Sequence, residues 1–311
     1  MEFKHVPIML DECINNLNIN PDGVYVDATL GGAGHSSEIA KRLSSKGTLI
    51  GIDKDATAIK VSGERLAKYN CNVILVNDDY KNLLNILKDN NIEKIDGLLA
   101  DLGVSSYQLD EVERGFSYSK DAPLDMRMNQ NQSLTAKEVV NNYSEKELLK
   151  ILYEYGEENF AKSIVRNILK AREEKPITTT GELVKIIEKS FPAKLLHKGG
   201  SVCKKTFQAI RIEVNSELEN LKSVLNDMIE CLKPKGRLCI ITFHSLEDRL
   251  VKNCFTENST GCICPKSFPI CVCNHKPIVK LINKKPIVPS ENEQEANSRS
   301  TSSKLRVAEK I

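Results

Sequence analysis

The sequence predicts an α/β fold in which a doubly wound parallel sheet is interrupted by a mainly helical insertion. Two observations predict it. Short β-branched runs alternate with helical periodicity at the start of the chain, as they do in βαβ units. This alternation stops near Gln108 and returns after Asn215. We therefore expect the sheet domain to comprise 1–107 and 216–311, with a helical domain, 108–215, inserted between them.

The first part of the sheet domain contains four predicted strands separated by helices. The strands are apolar runs at 24–28, 48–53, 72–76 and 95–101, and the helices lie near 36–43, 55–69 and 81–90. Short runs of Val, Ile and Leu bounded by polar residues or glycine are typical of buried parallel strands. Their carboxyl ends are expected to meet at one edge of the sheet, where ligands bind in open α/β folds.

The insertion shows helix starts but no convincing strand. Thr135, Ser144 and Thr179 each stand three residues before a Glu, which is the spacing of a capping box. Between Phe160 and Arg211 there are twelve Lys or Arg and four Glu, a local charge of +8 in a chain of net charge +2. Such a block indicates either a surface that meets phosphate or a set of solvated helix faces.

Strand–helix alternation returns after the insertion. The predicted elements are a helix that Ser216 caps and Pro234 and Gly236 end, a strand at 237–243, a helix that Ser245 caps, and a final strand at 305–309. The polar run 290–303 is predicted to be a mobile loop, because it is too poor in apolar residues to pack.

The composition is that of a globular protein without an export signal. Hydrophobic residues make up 41% and charged residues 28% of the chain, which excludes disorder across its whole length. There is no apolar run of membrane-spanning length, and the N-terminus is too charged for a signal peptide. A cytoplasmic location is therefore expected. The ten cysteines are then expected to be reduced thiols or metal ligands.

Four of these cysteines lie within twelve residues, at Cys262, Cys264, Cys271 and Cys273. Four thiolates suit a tetrahedral zinc site. Each pair is Cys-x-Cys, however, one residue shorter than the usual Cys-x-x-Cys knuckle. A structural metal, reduced thiols and redox pairing all remain open, and no metal is assigned.

A glycine-rich turn follows the first strand. Asp27 ends that strand, and the run Gly31-Gly32-Ala33-Gly34 leads into a helix. Glycines let the backbone approach a ligand closely, and a helix N-terminus favours polar or anionic groups. The second strand ends in an acid 19 residues after the last glycine, where dinucleotide sites hold ribose hydroxyls. A nucleoside-containing cofactor is predicted; a tight turn beside a surface acid is the alternative.

Details around this turn favour S-adenosylmethionine over a nicotinamide dinucleotide. Ser37 stands where the dinucleotide fingerprint has its third glycine. Tyr80, after the third strand, offers an aromatic face to adenine, and Asp78 and Asp79 beside it offer carboxylates to the adenine amine; a core position for Tyr80 is the alternative. Asp101 ends the fourth strand, where it either caps a turn or orients an amine for methyl transfer.

Seven longer motifs make the sequence recognisable. They are 27–35 (DATLGGAGH), 101–109 (DLGVSSYQL), 113–117 (ERGFS), 123–127 (PLDMR), 206–211 (TFQAIR), 214–217 (VNSE) and 243–249 (FHSLEDR). In this order they resemble the bacterial ribosomal small-subunit methyltransferase H family. The resemblance runs over nearly the whole chain, from His5 to Ala308.

The resemblance implies a class I, Rossmann-like S-adenosylmethionine methyltransferase fold. The implied reaction is methylation of the exocyclic amine of one cytidine in the decoding region of 16S rRNA. The implied partner is 16S rRNA within the small ribosomal subunit, with neither a membrane nor DNA involved. The implied cofactor-binding residues are Ala33, Gly34, His35, Asp53, Tyr80, Asp101 and Gln108, of which Asp101 is also the candidate catalytic residue.

Extraction of a base from structured RNA would need stacking and phosphate contacts. The candidate aromatic platforms are Phe116, Tyr118 and Phe207, with core positions as the alternative. The candidate phosphate ligands are Arg114, Arg127 and Arg211, with ion pairs as the alternative. His244 or Ser245 is a candidate contact to the target nucleotide. Two other functions stay open on the residues alone: a nicotinamide-dependent oxidoreductase, and a non-catalytic ribosome-assembly factor with a nucleoside pocket.

Overall fold

The computed structural model describes residues 7–196, 201–262, 264, 268, 270, 272–273 and 276–311. The chain forms two compact units. The first comprises residues up to Gly103 together with Leu218–Ile311, and the second comprises Val104–Glu217. No helix within the described ranges is long and apolar enough to span a membrane.

The first unit is built on a seven-stranded sheet. Its strands are β1 (Val24–Asp27), β2 (Thr48–Asp53), β3 (Asn72–Asn77), β4 (Ile95–Asp101), β5 (Leu232–Thr242), β6 (Val279–Leu281) and β7 (Lys304–Lys310). Their order across the sheet is β3-β2-β1-β4-β5-β7-β6. Strands β1 to β5 pair in parallel, and β7 runs antiparallel to both β5 and β6. The chain builds outward from β1 in one direction and then in the other, so the predicted doubly wound fold is confirmed.

The helices of the described chain number fourteen. They are α1 (Leu10–Leu17), α2 (Gly34–Arg42), α3 (Ala56–Leu66), α4 (Leu83–Asp89), α5 (Ser106–Asp110), α6 (Ala136–Asn142), α7 (Glu145–Glu154), α8 (Ala161–Glu174), α9 (Thr180–Glu188), α10 (Ala193–Leu196), α11 (Lys204–Asn215), α12 (Glu217–Glu230), α13 (Ser245–Ser259) and α14 (Glu291–Ala296). Short 3-10 segments add Tyr80–Asn82, Val112–Arg114 and Ser298–Ser302.

The sheet is buried on both faces, which explains why its strands read as almost continuous apolar runs. Successive side chains of a strand point to opposite faces. In β4, Leu98 packs into a core that includes Leu225 of α12, whereas Leu99 packs into a second core that includes Ile39 of α2. Helices therefore cover both faces, and the carboxyl edge of the sheet is left for ligands.

The boundary between α12 and β5 differs from the sequence prediction. Pro234 and Gly236 do not end the helix, which stops at Glu230; they lie inside β5. The register shifts there, since Leu232 pairs with Ile95 and Arg237 pairs with Gly97. Proline has no N–H to donate to a neighbouring strand, but it is tolerated where the pairing of strands is irregular. Pro234, which the sequence predicts to end a helix, therefore lies within β5.

One predicted helix cap is displaced by one residue, and another lies between two helices. Ser216 adopts a left-handed conformation with φ of 50°, where it ends α11 and directly precedes α12. His244, and not Ser245, is the N-cap of α13. The polar run 290–303 is also not a loop: it contains α14 and a 3-10 segment, and Glu293 Oε1 accepts a 2.8 Å hydrogen bond from Met9 N. Helix capping and this hydrogen bond hold the segment in place of apolar packing.

The second unit is helical, with its own apolar core. The capping boxes predicted at Thr135, Ser144 and Thr179 are all formed in both directions. Phe116 and Phe207 are 7% and 3% exposed within this core, so they are packing residues and not stacking platforms. Tyr118 is half-buried and meets the Phe207 ring edge-on, with centroids 5.6 Å apart.

Candidate active site

Three acidic residues end neighbouring parallel strands at one edge of the sheet. Asp27 ends β1, Asp53 ends β2 and Asp101 ends β4, and β1 lies between the other two strands. The order of the sheet reverses between β1 and β4, which makes this a topological switch point. The structure thus brings the three predicted acids together where an open α/β sheet binds its ligand.

The glycine turn keeps the N-terminus of α2 open. Gly31 and Ala33 adopt left-handed conformations, with φ of 48° and 57°. Among the described residues no side chain caps α2, whose N-cap is Ala33. A Cβ on Gly34 would lie 2.3 Å from Pro7 Cγ, so a larger residue there would push the turn away from the preceding chain. Uncapped backbone N–H groups favour a polar or anionic ligand group.

Two residues of α3, missed by the sequence reasoning, hold this turn from behind. Ser62 Oγ donates a 2.8 Å hydrogen bond to Gly31 O, and Arg65 Nη1 donates to Gly32 O. Ser62 is fully buried. The two lie three residues apart on one helix face. That spacing is visible in the sequence, but it indicates a contact with the turn only once the packing of α3 is known.

Asp53 is positioned by backbone donors on both of its carboxylate oxygens. Oδ2 accepts from Gly31 N at 2.8 Å, and Oδ1 accepts from Asp55 N at 2.8 Å. Burial raises the pKa of Asp53 to about 6, against these two hydrogen bonds, which lower it. Each oxygen keeps a lone pair, so the carboxylate can accept two further hydrogen bonds from a diol.

The Asp27 side chain makes its hydrogen bonds within the protein. Its side chain accepts a 2.6 Å hydrogen bond from Ser36 Oγ and a 3.2 Å bond from Thr29 N, which tie β1 to α2 and to the turn. It is 2% exposed, and burial raises its pKa. Asp27 therefore shapes the turn and adds a buried negative charge to this edge.

Asp101 is the least satisfied of the three acids. Its Oδ2 lies 3.8 Å from His35 Nδ1, while its Oδ1 is buried and makes no hydrogen bond with any described residue. Burial, and next the charges of Asp27 and Glu247, raise the pKa of Asp101 to about 8. The side chain as a whole is 26% exposed. It can thus reach a ligand group and hold or release a proton near neutral pH.

His35 and Tyr80 flank this edge. The buried His35 ring lies 3.0 Å from Ile8 O through Nε2, and it can bond a carbonyl only as the donor. Tyr80 begins a 3-10 segment after β3, is half-buried against the core, and has Lys54 Nζ 5.6 Å from its ring centroid.

Of the two carboxylates beside Tyr80, Asp79 is the more fully engaged within the protein. Its Oδ2 lies 2.9 Å from Lys54 Nζ and accepts from Asn220 Nδ2 at 2.9 Å, and its Oδ1 accepts from Lys81 N. Asp78 uses Oδ1 for its bonds from Asp79 N and Asn82 Nδ2. Asp78 is therefore the better candidate of the pair.

Residues 2–311 match the model of the MraW methylase family. The chain belongs to this family. It is 58% identical over 311 residues to ribosomal RNA small subunit methyltransferase H 2 of Agathobacter rectalis, covering 100% of this chain and 99% of that protein. It is 56% identical to ribosomal RNA small subunit methyltransferase H of Clostridioides difficile, covering all of both chains.

Similarity to solved structures is more distant. An rRNA methylase from Streptococcus thermophilus aligns with a TM-score of 0.41 and 13% identity, covering 97% of this chain and 93% of that one. The family match confirms the predicted methyltransferase and its cofactor, S-adenosylmethionine, and decides against a nicotinamide-dependent oxidoreductase.

The residues of this methylase fit that cofactor. Asp53 offers an acceptor for a diol. Within the described ranges, no side chain caps the start of α2 and one buried oxygen of Asp101 makes no hydrogen bond. A sulfonium is cationic, and three acidic side chains lie at this edge. Burial raises the pKa of each, and neighbouring carboxylates raise the pKa of Asp53 and Asp101 further. A group of acids at one edge suits a cationic ligand.

His244, at the end of β5, caps the N-terminus of α13. Glu247 Oε2 accepts from Phe243 N at 2.9 Å, and His244 Nδ1 accepts from Glu247 N at 3.4 Å. His244 Nε2 lies 3.2 Å from Glu247 Oε1. Ser245 is exposed as the first residue of α13. A nucleotide contact by either His244 or Ser245 stays a prediction.

In the second unit, Gln108 and the three candidate phosphate arginines have intramolecular roles. Gln108 is 6% exposed, and its Oε1 accepts from Ser105 N in a capping box. Arg114 donates to the carbonyls at 127 and 128, Arg127 forks onto Asp125, and Arg211 forks onto Glu217 at 2.8 Å for both bonds. The three arginines are therefore structural and do not serve as free phosphate ligands. A cofactor contact by Gln108 stays a prediction.

The basic block does present a continuous cationic face. Lys162, Arg166 and Lys170 are exposed and recur every four residues along α8. No ion pair joins them to an acid in the described part of the chain. Like charges at this spacing destabilise a helix by about 0.2–0.5 kcal/mol per pair. The arrangement therefore does not serve the stability of α8, and it suits a polyanion.

Proposed function

We propose that this chain transfers the methyl group of S-adenosylmethionine to the exocyclic N4 amine of a cytidine in the decoding region of 16S rRNA. The substrate is the rRNA of the small ribosomal subunit, in the cytoplasm. The rRNA substrate is supported by the names of relatives that are 56–58% identical over the full chain. The target atom and region are supported by the seven sequence motifs. One observation carries the chemistry: a buried carboxyl oxygen of Asp101 makes no hydrogen bond with any described residue.

The proposed cofactor contacts follow the edge of the sheet. Asp53 accepts from the ribose hydroxyls, and Tyr80 lies against the adenine. Ala33, Gly34 and His35, at the start of α2, hold the methionine part with backbone N–H groups. The family resemblance implies Gln108 as a further contact. The roles of Asp53 and α2 are supported by the paired backbone donors on Asp53 and by the absence of a side-chain cap on α2 among the described residues.

Asp101 is the proposed catalytic residue. When bound, S-adenosylmethionine supplies an electrophilic methyl group and a positive charge. Asp101 Oδ1 accepts a hydrogen bond from the target amine, which orients the nitrogen lone pair toward the methyl carbon. As the N–C bond forms, the bond from the methyl carbon to sulfur would break and leave neutral S-adenosylhomocysteine. The amine nitrogen loses one proton, and the Asp101 carboxylate takes it. A carboxyl whose pKa is about 8 is a better base for this step than an ordinary aspartate.

The second unit is the proposed RNA-recognition domain. Its cationic α8 face, defined as Lys162, Arg166 and Lys170, pairs with phosphates. Phosphate contacts fix register without reading sequence, so selection of one cytidine requires contacts near the target base. The base must leave its stack to reach a carboxyl at the sheet edge, which costs a few kcal/mol.

The test is methylation of small subunits from a strain that lacks the modification. Purified protein and radiolabelled S-adenosylmethionine should label 16S rRNA, and mass spectrometry of digests should place the mark on N4 of one cytidine. Asp101→Asn should bind S-adenosylhomocysteine but transfer label roughly 100- to 10,000-fold more slowly. Labelling of a different atom or RNA would overturn the substrate, and absence of labelling by wild-type protein would favour an assembly factor without catalysis.

A further inference from the structure

A cluster of cysteines lies outside the proposed active site, in the segment that joins α13 to β6. The Sγ atoms of Cys262, Cys264 and Cys273 all lie within 4.8 Å of one another. Cys262 and Cys273 are eleven residues apart in sequence, so the chain folds back to bring them together. Cys271, which completes the sequence motif, lies outside the described residues.

The spacing of the sulfur atoms suits a metal and not a disulfide. Cys262 Sγ and Cys273 Sγ are 3.8 Å apart, whereas a disulfide bond is about 2.05 Å long. Two thiolates on a tetrahedral zinc ion, each about 2.3 Å from it, are separated by about 3.8 Å. The observed pair therefore already has the length of one edge of such a tetrahedron.

The cluster also has the hydrogen bonding of a thiolate site. Val272 N donates to Cys264 Sγ at 3.4 Å. Sulfur is a weak acceptor as a thiol and a stronger one as a thiolate, because hydrogen bonds to ionised groups are the stronger ones. The donor, Val272, is next to Cys273 in the sequence. The hydrogen bond therefore joins the chain around Cys273 to the sulfur of Cys264.

The described apolar residues of the segment are exposed and do not pack into a core. Phe268, Ile270 and Val272, which lie between the clustered cysteines, are 52%, 75% and 67% exposed. Small loops that cannot bury a core of their own commonly depend on a metal or on disulfides for their fold. Five other described cysteines are different, because they are buried as core residues: Cys13, Cys71, Cys203, Cys231 and Cys239.

We propose that Cys262, Cys264 and Cys273 bind a structural zinc ion that closes the loop between α13 and β6. Soft thiolate ligands select zinc over magnesium or calcium, and a fourth ligand would complete the tetrahedron around the three sulfur atoms. Binding deprotonates each thiol, so each Zn²⁺ that enters displaces one proton per thiolate. The metal has no part in methyl transfer; it fixes the loop on the first unit.

The test measures metal in the full-length protein, made without a histidine tag and purified without chelator. Plasma mass spectrometry should find one zinc ion per chain. The double variant Cys262→Ser/Cys264→Ser should retain less than about a tenth of an equivalent. Cys254→Ser, on α13 eight residues before the cluster, is the matched control and should keep its zinc. Binding of S-adenosylhomocysteine shows that each variant is folded.

Two further readouts do not depend on the metal acquired in the cell. Anaerobic Co²⁺ titration of reduced, metal-free protein should give a thiolate-to-cobalt charge-transfer band in wild type and Cys254→Ser, and none in the double variant. Removal of metal should speed tryptic cleavage between Cys262 and Lys280 several-fold. Metal-free wild-type protein without a cobalt band would overturn the assignment, as would a double variant that keeps a full equivalent of zinc.

Discussion

Asp101 lies 3.8 Å from the His35 ring through one carboxyl oxygen, while its other oxygen is buried and makes no hydrogen bond with a described residue. Leaving a buried acceptor without a partner costs about 1–3 kcal/mol. A fold that keeps such an atom at the switch point of its sheet sacrifices stability there. A ligand that donates to this oxygen recovers that stability, which is the reason for assigning it to the target amine.

Replacement of Asp101 by Asn should separate catalysis from folding. The amide keeps the shape of the side chain but cannot take a proton, so we expect kcat to fall roughly 100- to 10,000-fold. S-adenosylhomocysteine should bind within a few-fold of wild type. Single-turnover labelling of small subunits measures the first quantity and calorimetry the second. Asp89→Asn, an exposed acid at the end of α4, is the control. Full activity in Asp101→Asn would exclude Asp101 from the chemistry.

The same substitution should change how stability depends on pH. Asp101 has its pKa raised from 3.8 to about 8, so the folded state binds more protons than the unfolded chain between these values. The free energy of unfolding therefore falls as the pH rises through this window. Asp53 contributes in the same direction only up to about pH 6. Between pH 6 and 8, the Tm of wild type should fall relative to that of Asp101→Asn. If the plots of Tm against pH are parallel for the two proteins, the raised pKa of Asp101 is contradicted.

Cofactor binding should release a proton. A sulfonium favours the ionised form of a nearby carboxyl, so binding lowers the raised pKa of Asp101. Affinity for S-adenosylmethionine should rise by up to about tenfold per pH unit below pH 8. Calorimetry in buffers of different ionisation enthalpy measures the released proton. S-adenosylhomocysteine, whose sulfur is neutral, should show a smaller effect, and equal effects for both ligands would place the sulfonium away from Asp101.

The sheet could be predicted because its residues follow local rules. The limits of β2 and β4 agree with the predicted 48–53 and 95–101, since each is an apolar run that ends in an acid. Strand ends in a parallel sheet share an edge, so the convergence of Asp27, Asp53 and Asp101 followed as well.

What the sequence did not show depends on tertiary packing. Ser62 became relevant only because α3 lies behind the glycine turn. Arg127 and Arg211 are arginines that the sequence offered as phosphate ligands, yet their partners Asp125 and Glu217 neutralise them. Pro234 ends helices by local rules, but here an irregular strand accommodates it. In each case a distant or irregular contact overrides the local signal.

Replacement of Asp53 by Asn should weaken the binding of S-adenosylmethionine and of S-adenosylhomocysteine equally. Hydrogen bonds to a charged acceptor contribute about 1.5–3 kcal/mol each, so removal of one predicts roughly 10- to 100-fold weaker binding. The ribose is common to S-adenosylmethionine and S-adenosylhomocysteine, and calorimetry should find the same reduction for both. This distinguishes Asp53 from Asp101, which should affect mainly the charged form. Unchanged affinity would mean that the ribose lies elsewhere.

Neutralising the α8 face should weaken RNA binding without touching the cofactor site. The variant Lys162→Gln/Arg166→Gln/Lys170→Gln should raise KM for small subunits and leave kcat and S-adenosylmethionine affinity unchanged. The dependence of log KM on log salt should flatten by about 0.7 for each phosphate that the variant no longer binds. The helix itself should become slightly more stable, because like charges at four-residue spacing are removed.

The control for this prediction replaces three exposed lysines of the first unit, Lys60, Lys88 and Lys222, with Gln. An equal effect of both triple variants would mean that net charge, and not this helix face, attracts the RNA.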